Sequence, residues 1–238
     1  MTELMRWTLD SFHGVPPHRV AVIPHGVPDI NPLRRRSQGT PRQPIFPGRP
    51  VIMTNGLMHQ YKGIEYMLEA MPAVLEHHPR AVYLIDGKPH PGGWGVQGYY
   101  SGLKKKASEL GLVQRGAVVF NNEFSGYDAL LMKLEAAAVY VNPYTDVTQS
   151  VSGTVAMALA AGAAVVSTPY PYALEALAGG VGVFVPFRDS DALARAITAL
   201  LSDPTRIVQH NRRAWAYARN MTWQLVAQQH LDVASAMR

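Results

Sequence analysis

Cysteine is absent from the 238 residues. That excludes a disulfide scaffold, a thiolate zinc site and a cysteine nucleophile together, and it fits a cytoplasmic chain. Charge is scarce too: 16% of residues are charged and 47% are hydrophobic, a balance too apolar for a disordered chain. Basic residues outnumber acidic ones by 22 to 17, a net +5 that suits a small anionic ligand and does not require a polyanion. The dense basic run, Arg34-Arg35-Arg36, lies among Pro, Ser, Gln and Gly. It reads as a solvated loop, and no nucleic-acid partner is expected. No apolar run approaches the ~20 residues that span a bilayer. The opening MTELMRWTLDSF reads as a short amphipathic helix without a signal peptide's apolar core.

Several catalytic signatures are missing as well. There is no GxSxG elbow, no GxxxxGK[ST] phosphate loop and no GxGxxG fingerprint after any strand, which disfavours an NAD enzyme. Gly179-Gly180-Val181-Gly182 precedes a strand and reads as turn glycines. No metal site is expected. His90 has no second ligand at a usable spacing, and His77-His78 reads as a solvated helix end.

What the chain does contain is a regular alternation. Short, nearly continuous β-branched runs occupy 50–54, 81–85, 117–120, 138–141, 164–167 and 181–185, as parallel strands covered on both faces require. Between them apolar residues recur at three/four spacing, as in Ile64, Met67, Leu68, Met71 and Val74. Pro72 inside that helix predicts a kink or a tight turn. The last third reads as three helices, 189–201, 204–219 and 223–237. A further strand is expected at Val20–Ile23. The fold class is therefore α/β: an open, doubly wound, Rossmann-like parallel sheet with helices on both faces. The expected division is an N-terminal helix and linker (1–22), the sheet domain (23–222) and a closing helix (223–238). At this length the chain is too short for two Rossmann-sized lobes.

In such sheets ligands sit beyond the carboxyl ends of the strands, where strand order reverses. The segment after the first core strand is Asn55-Gly56-Leu57-Met58-His59-Gln60-Tyr61-Lys62-Gly63. Gly56 permits close backbone approach, and Lys62 adds a positive charge at a helix start. This suits a phosphate or is an ordinary loop with a solvated lysine. After the second strand, the segment from Asp86 to Gly95 holds two prolines and four glycines, a shaped loop or a simple surface excursion in which His90 could be polar lining. After the strand at 138–141 come Asn142-Pro143-Tyr144-Thr145-Asp146, then Gln149-Ser150-Val151-Ser152-Gly153-Thr154 and an Ala-rich helix. Ser152, Gly153 and Thr154 offer unpaired N–H groups and two hydroxyls, either as an anion nest or as plain N-capping.

Together, IPHGVPD (23–29), NGLMHQYKGIE (55–65) and the long stretch NPYTDVTQSVSGTVAMALAAGAAVVSTPYPYALEAL with GGVGVFVPFRDSDALARAI resemble family-4 glycosyltransferases of the GT-B fold, specifically their C-terminal donor-binding domain. The resemblance runs from about Val20 to the C-terminus. It implies a nucleoside-diphosphate sugar as donor of a hexose, a retaining transfer, no required metal or other cofactor, and an acceptor-binding N-terminal lobe in the same enzyme or a partner chain. Residue by residue, it implies that Lys62 contacts phosphate and that Ser152, Gly153 and Thr154 hold the diphosphate. Gly56 would allow close approach, and the loop with Asn122 and Phe124 would border the nucleobase. His25, Gly26, Tyr144 and His90 are candidate lining residues. Three positions depart from the family pattern. A common arginine after the glycine is Leu57, the first motif glutamate, a sugar contact, is Gln149, and the second, a ribose contact, is Met157. A methionine cannot accept from ribose hydroxyls as a carboxylate does. The alternatives are a non-catalytic nucleotide- or sugar-binding module and a subunit of a split enzyme. With the acceptor lobe absent, the resemblance implies little activity for the chain alone, exposed apolar surface near the first and last helices, and self-association. It also allows a membrane-peripheral location for the full enzyme.

Overall fold

The computed structural model describes residues 2–30, 44–90 and 96–237. Arg34–Arg36 and part of the loop after the second strand lie outside the described residues. The element order is α1 (Glu3–His13), β1 (Val51–Asn55), α2 (Ile64–His77), β2 (Val82–Asp86), α3 (Val96–Glu109), β3 (Val118–Asn121), α4 (Tyr127–Ala136), β4 (Val139–Asn142), α5 (Gly153–Ala160), β5 (Val165–Ser167), α6 (Pro171–Ala176), β6 (Gly182–Phe184), α7 (Ser190–Leu201), α8 (Pro204–Ala218) and α9 (Trp223–Ala236). The strands form one sheet in the order β3-β2-β1-β4-β5-β6, with every pairing parallel. All six runs named from the sequence are strands. Both faces of the sheet are covered, which is why their apolar character is continuous rather than alternating.

Side chains alternate between two cores. Val51, Met53, Tyr140 and Val165 join one cluster with Leu131, Leu134, Val155 and Ala214 from α4, α5 and α8. Ile52, Tyr83, Val139 and Val166 join the other with Met67, Leu103 and Ile197 from α2, α3 and α7. Helix starts follow capping chemistry. Asp189 accepts from Ala192 N at 2.7 Å, and Asp203 accepts from Arg206 N at 3.0 Å with Pro204 in the first turn.

Three expectations change. Val20–Ile23 forms no strand: it leaves a 3₁₀ turn (Pro17–Arg19) that takes up the Val20 N–H through Pro17 O at 3.2 Å, and it is not part of the sheet. The nearby pairing instead falls on Val27, whose N–H donates to Met221 O at 2.8 Å while Trp223 N donates to Val27 O at 2.9 Å. The helix containing Pro72 continues through it as one element, which excludes the tight turn that was the alternative to a kink. His78 does not stand free at its helix end: its Nε2 lies 3.1 Å from Ser202 Oγ and 3.3 Å from Thr198 O, tying α2 to α7.

The first and last helices do carry exposed apolar side chains. α1 buries none of its residues and leaves Trp7 and Phe12 exposed. Its N-terminus is held by the Glu175 carboxylate, which accepts from the Glu3 and Leu4 N–H groups, so that a negative charge meets the positive end of the helix. On α9, Trp223, Leu225 and Leu231 are exposed. No helix among the described residues is long and apolar enough to cross a membrane.

Candidate functional site

β1 and β4 are neighbours, but the chain leaves β1 toward β2 and leaves β4 toward β5. Their following segments diverge, and a crevice opens beyond the strand ends. The predicted residues after both strands meet there.

Lys62 closes a single 3₁₀ turn (Gln60–Lys62), and Gly63, at φ 62°, turns the chain into α2. The lysine is 7% exposed. Its ammonium donates to Tyr144 Oη and stands 4.4 Å from the centre of that ring. Tyr144 Oη lies 3.2 Å from Thr154 Oγ1, which lies 3.1 Å from Ser152 Oγ. Ser152 in turn caps α5 by accepting from Val155 N at 3.3 Å. One polar chain thus joins the β1 loop to the start of α5. Thr145 N also donates to Tyr61 O at 2.9 Å, so the two loops share a backbone bond. The Tyr144 ring stacks on Tyr170 at 5.2 Å and meets the edge of Tyr61 at 6.1 Å, which leaves the phenol little room to move.

Burial pushes the Tyr144 phenol up. The Lys62 charge beside it, together with hydrogen bonds to Lys62 and Thr154, outweighs that and holds it below the ordinary tyrosine value. Tyr83, Tyr140 and Tyr172, buried without such a cation, are shifted upward. Spectrophotometric titration of the 11 tyrosines should therefore show one early ionisation as pH rises. Tyr144→Phe should remove that phase, and Lys62→Met should move it to higher pH. An early phase that survives Tyr144→Phe would contradict the assignment.

Gly56 and Gly153 lie where the segments approach closely. A Cβ on Gly56 would meet Thr154 Cγ2 at 3.1 Å and Lys62 Nζ at 3.5 Å. One on Gly153 would stand 2.9 Å from His25 Nε2. His25 donates from Nδ1 to Gly26 O at 2.8 Å, so Nε2 is the atom facing the α5 N-terminus. Gly26 itself serves packing: a Cβ there would overlap the Trp223 ring at 2.0 Å.

The remaining predicted residues divide. Gln149 Nε2 donates to Val151 O at 2.6 Å, within its own loop. Met157 is 8% exposed and belongs to the core cluster on its face of the sheet. His90 packs edge-on against His59 at 6.1 Å, beside the β1 loop and away from the Lys62–Tyr144 contact. Phe124 is 79% exposed, and with Glu123 and Ser125 it lines a small cleft of about 60 Å³ that also touches Asn55, Gly56 and Asp86. Asn122 does not line it.

Two contributors were not singled out from the sequence. Asn55 ends β1, and its buried Oδ1 has no hydrogen-bond partner although it borders that cleft. An orphaned buried acceptor of this kind calls for a donor. Asp86 ends β2 and organises the facing loop: its carboxylate accepts from Lys133 Nζ at 2.6 Å, Asn121 Nδ2 at 2.5 Å and Ser125 Oγ at 3.0 Å. Asparagine or aspartate as the last residue of a core strand was the available signal. Among the described residues, no group of three or more His, Asp or Glu is arranged to hold a metal ion.

Comparison with known proteins agrees with this fold. Residues 49–203 match the family of glycosyl transferases group 1. No curated protein sequence matches. Among solved structures, the sucrose-phosphate synthase of Thermosynechococcus elongatus is 20% identical, with a TM-score of 0.78, over 100% of this chain and 57% of that one. The Anabaena protein HepE, in complex with UDP and glucose, is 16% identical, with a TM-score of 0.75, over 99% of this chain and 61% of that one. The C-terminal domain of the Francisella tularensis group 1 glycosyl transferase LpcC is 14% identical, with a TM-score of 0.64, over 83% of this chain and 95% of that domain. The chain thus spans about three-fifths of the two full-length structures. It carries, through residues 49–203, a glycosyl transferase group 1 domain, and it belongs to that family.

Proposed function

We propose that the crevice beyond β1 and β4 binds a nucleoside-diphosphate sugar, and that the chain is the C-terminal, donor-binding lobe of a retaining, family-4 glycosyltransferase of the GT-B fold. The observation that carries this reading is the convergence of the Lys62 ammonium and the Ser152-capped start of α5, joined through Tyr144 and Thr154. Residues Gly153 and Thr154 open α5, so their N–H groups have no intrahelical partner. They and Lys62 supply the positive field that a diphosphate needs.

In the reaction, the bond from the anomeric carbon to the β-phosphate oxygen breaks. An acceptor hydroxyl oxygen bonds to that carbon on the same face, and its proton passes to the departing phosphate. The same ammonium and N–H groups stabilise the charge that develops on the leaving diphosphate. Phe124, exposed beside the 60 Å³ cleft, offers a stacking face to the nucleobase, and Asn55 Oδ1 takes a donor from the ligand. Met157 offers the ribose only an apolar surface. Gln149 reaches the sugar by releasing Val151 O. The acceptor-binding lobe is supplied by another part of the enzyme or by a partner chain, so the 238 residues alone should turn over little.

Calorimetry with UDP-glucose, GDP-mannose and ADP-glucose tests the reading. One of the three should bind, and Lys62→Ala should weaken it by about 1–3 kcal/mol, the worth of a charge-assisted contact, with little change in Tm. No heat from any of the three, or equal affinity in Lys62→Ala, would overturn it.

A further inference from the structure

A second concavity, of about 950 Å³, lies on the other side of Tyr61, between the start of α2, one face of α3 and the loop before α7. Its walls differ in kind from those of the crevice. Three tyrosines, Tyr61, Tyr66 and Tyr99, line it together with Asp146 and Arg188. Each tyrosine is only partly exposed, so its ring is seated in the fold and presents a fixed surface. Tyr61 stacks on His59 at 4.4 Å, and Tyr99 Oη donates to Glu65 Oε2 at 2.6 Å.

Arg188 is the informative residue. Among the described residues it is the one non-glycine with a left-handed backbone, at φ 57°. A long side chain rarely takes that conformation, and where it does the strain points to a role for the side chain. Arg188 lines the groove, and no hydrogen bond or ion pair within the described residues engages its guanidinium. α3 contributes Gly98 and Gly102 to the same wall, and a Cβ at either would meet nothing within 4 Å. Packing does not demand these glycines, and glycine weakens a helix. Their effect is to keep the trough open.

The charges balance: Arg188 and Lys106 line the groove with Glu65 and Asp146, and the Lys106 ammonium is paired with Glu69 at its edge. A polyanion or a free phosphate is therefore not the matched ligand. Aromatic faces, a guanidinium and carboxylates together match a neutral sugar chain, whose rings carry apolar C–H faces and a rim of hydroxyls that both donate and accept. We infer that this groove is a saccharide-binding site separate from the donor crevice. Tyr61 is the shared wall, with one edge on Tyr144 and its ring in the groove. A bound glycan is thereby positioned as an acceptor or product chain; that role rests on the proposed function, whereas the binding itself does not.

The test uses the 238-residue protein without nucleotide, titrated by NMR with maltotriose, cellotriose and mannotriose. At least one should bind at millimolar concentration. Arg188→Gly suits the left-handed backbone, so Tm should hold or rise while saccharide affinity falls at least fivefold. Tyr66→Ala should give a similar loss, and neither variant should change nucleotide affinity more than twofold. Three results would overturn the inference: no binding of any trisaccharide at 20 mM, binding indifferent to both variants, or binding abolished by Lys62→Ala, which would place the sugar in the crevice instead. Failure of nucleotide binding with saccharide binding intact would refute only the donor reading.

Discussion

Replacing Gly63 by alanine should cost about 2–5 kcal/mol of folding stability and remove nucleotide binding. Two effects add. At φ 62° an L-residue pays about 1–2 kcal/mol for the left-handed backbone. The new Cβ would also stand 2.0 Å from Pro143 O, a main-chain atom at the end of β4 that no rotamer change can move aside. Relieving that overlap shifts either the β4 loop or the turn that carries Lys62, at the ~1–3 kcal/mol typical of overpacking. Gly14 provides the control: its φ is 64°, and a Cβ there meets nothing within 4 Å. Gly14→Ala isolates the backbone cost, and the difference between the two variants in urea denaturation measures the clash. A Gly63→Ala loss no larger than that of Gly14→Ala would show that the approach of the two loops is not tight.

Asp86→Ala should cost about 2–4 kcal/mol, near the figure for breaking a buried ion pair, reduced because the Lys133 side chain is 24% exposed. The Asp86 side chain itself is 2% exposed. Its loss leaves the Lys133 ammonium beside an apolar side chain and deprives Asn121 and Ser125 of their shared acceptor. The consequence reaches past stability. Residues 123–125 line the cleft with Gly56, so affinity for the nucleotide should fall as well, without any change at Lys62. Lys133→Met combined with Asp86→Ala should recover part of the stability but not the affinity, because no ammonium is then left without its counter-charge, with Ser125 Oγ as its remaining contact, while the loop still lacks the Asp86 acceptor. A double variant less stable than Asp86→Ala alone would mean that Lys133 contributes by packing and not by charge.

The contrast between Lys62 and Asp86 shows where sequence reading succeeds and where it stops. The six strands were legible because a strand buried on both faces writes a continuous apolar run. Lys62, Ser152, Gly153 and Thr154 were legible because a cation, a glycine and two hydroxyls at strand ends are local signals. Their union through Tyr144 was not, since it depends on loops 82 residues apart in the chain meeting at the strand-order reversal. Asp86 reads as one residue of a glycine-rich loop until Lys133, 47 residues later, is folded against it. The same limit explains the error at Val20–Ile23, where an apolar run had the composition of a strand but lies outside the sheet. Arg188 is legible only in three dimensions, because backbone strain leaves no trace in residue identity.

The pairing of Val27 with Met221 and Trp223 has a further consequence for how this fold can be assembled into larger proteins. The path into the sheet region and the path out of it pass through one gate, a hydrogen bond's width apart. A unit whose entry and exit adjoin can be spliced as a single block into a loop of another domain, or be reopened elsewhere with the gate bridged by a few residues.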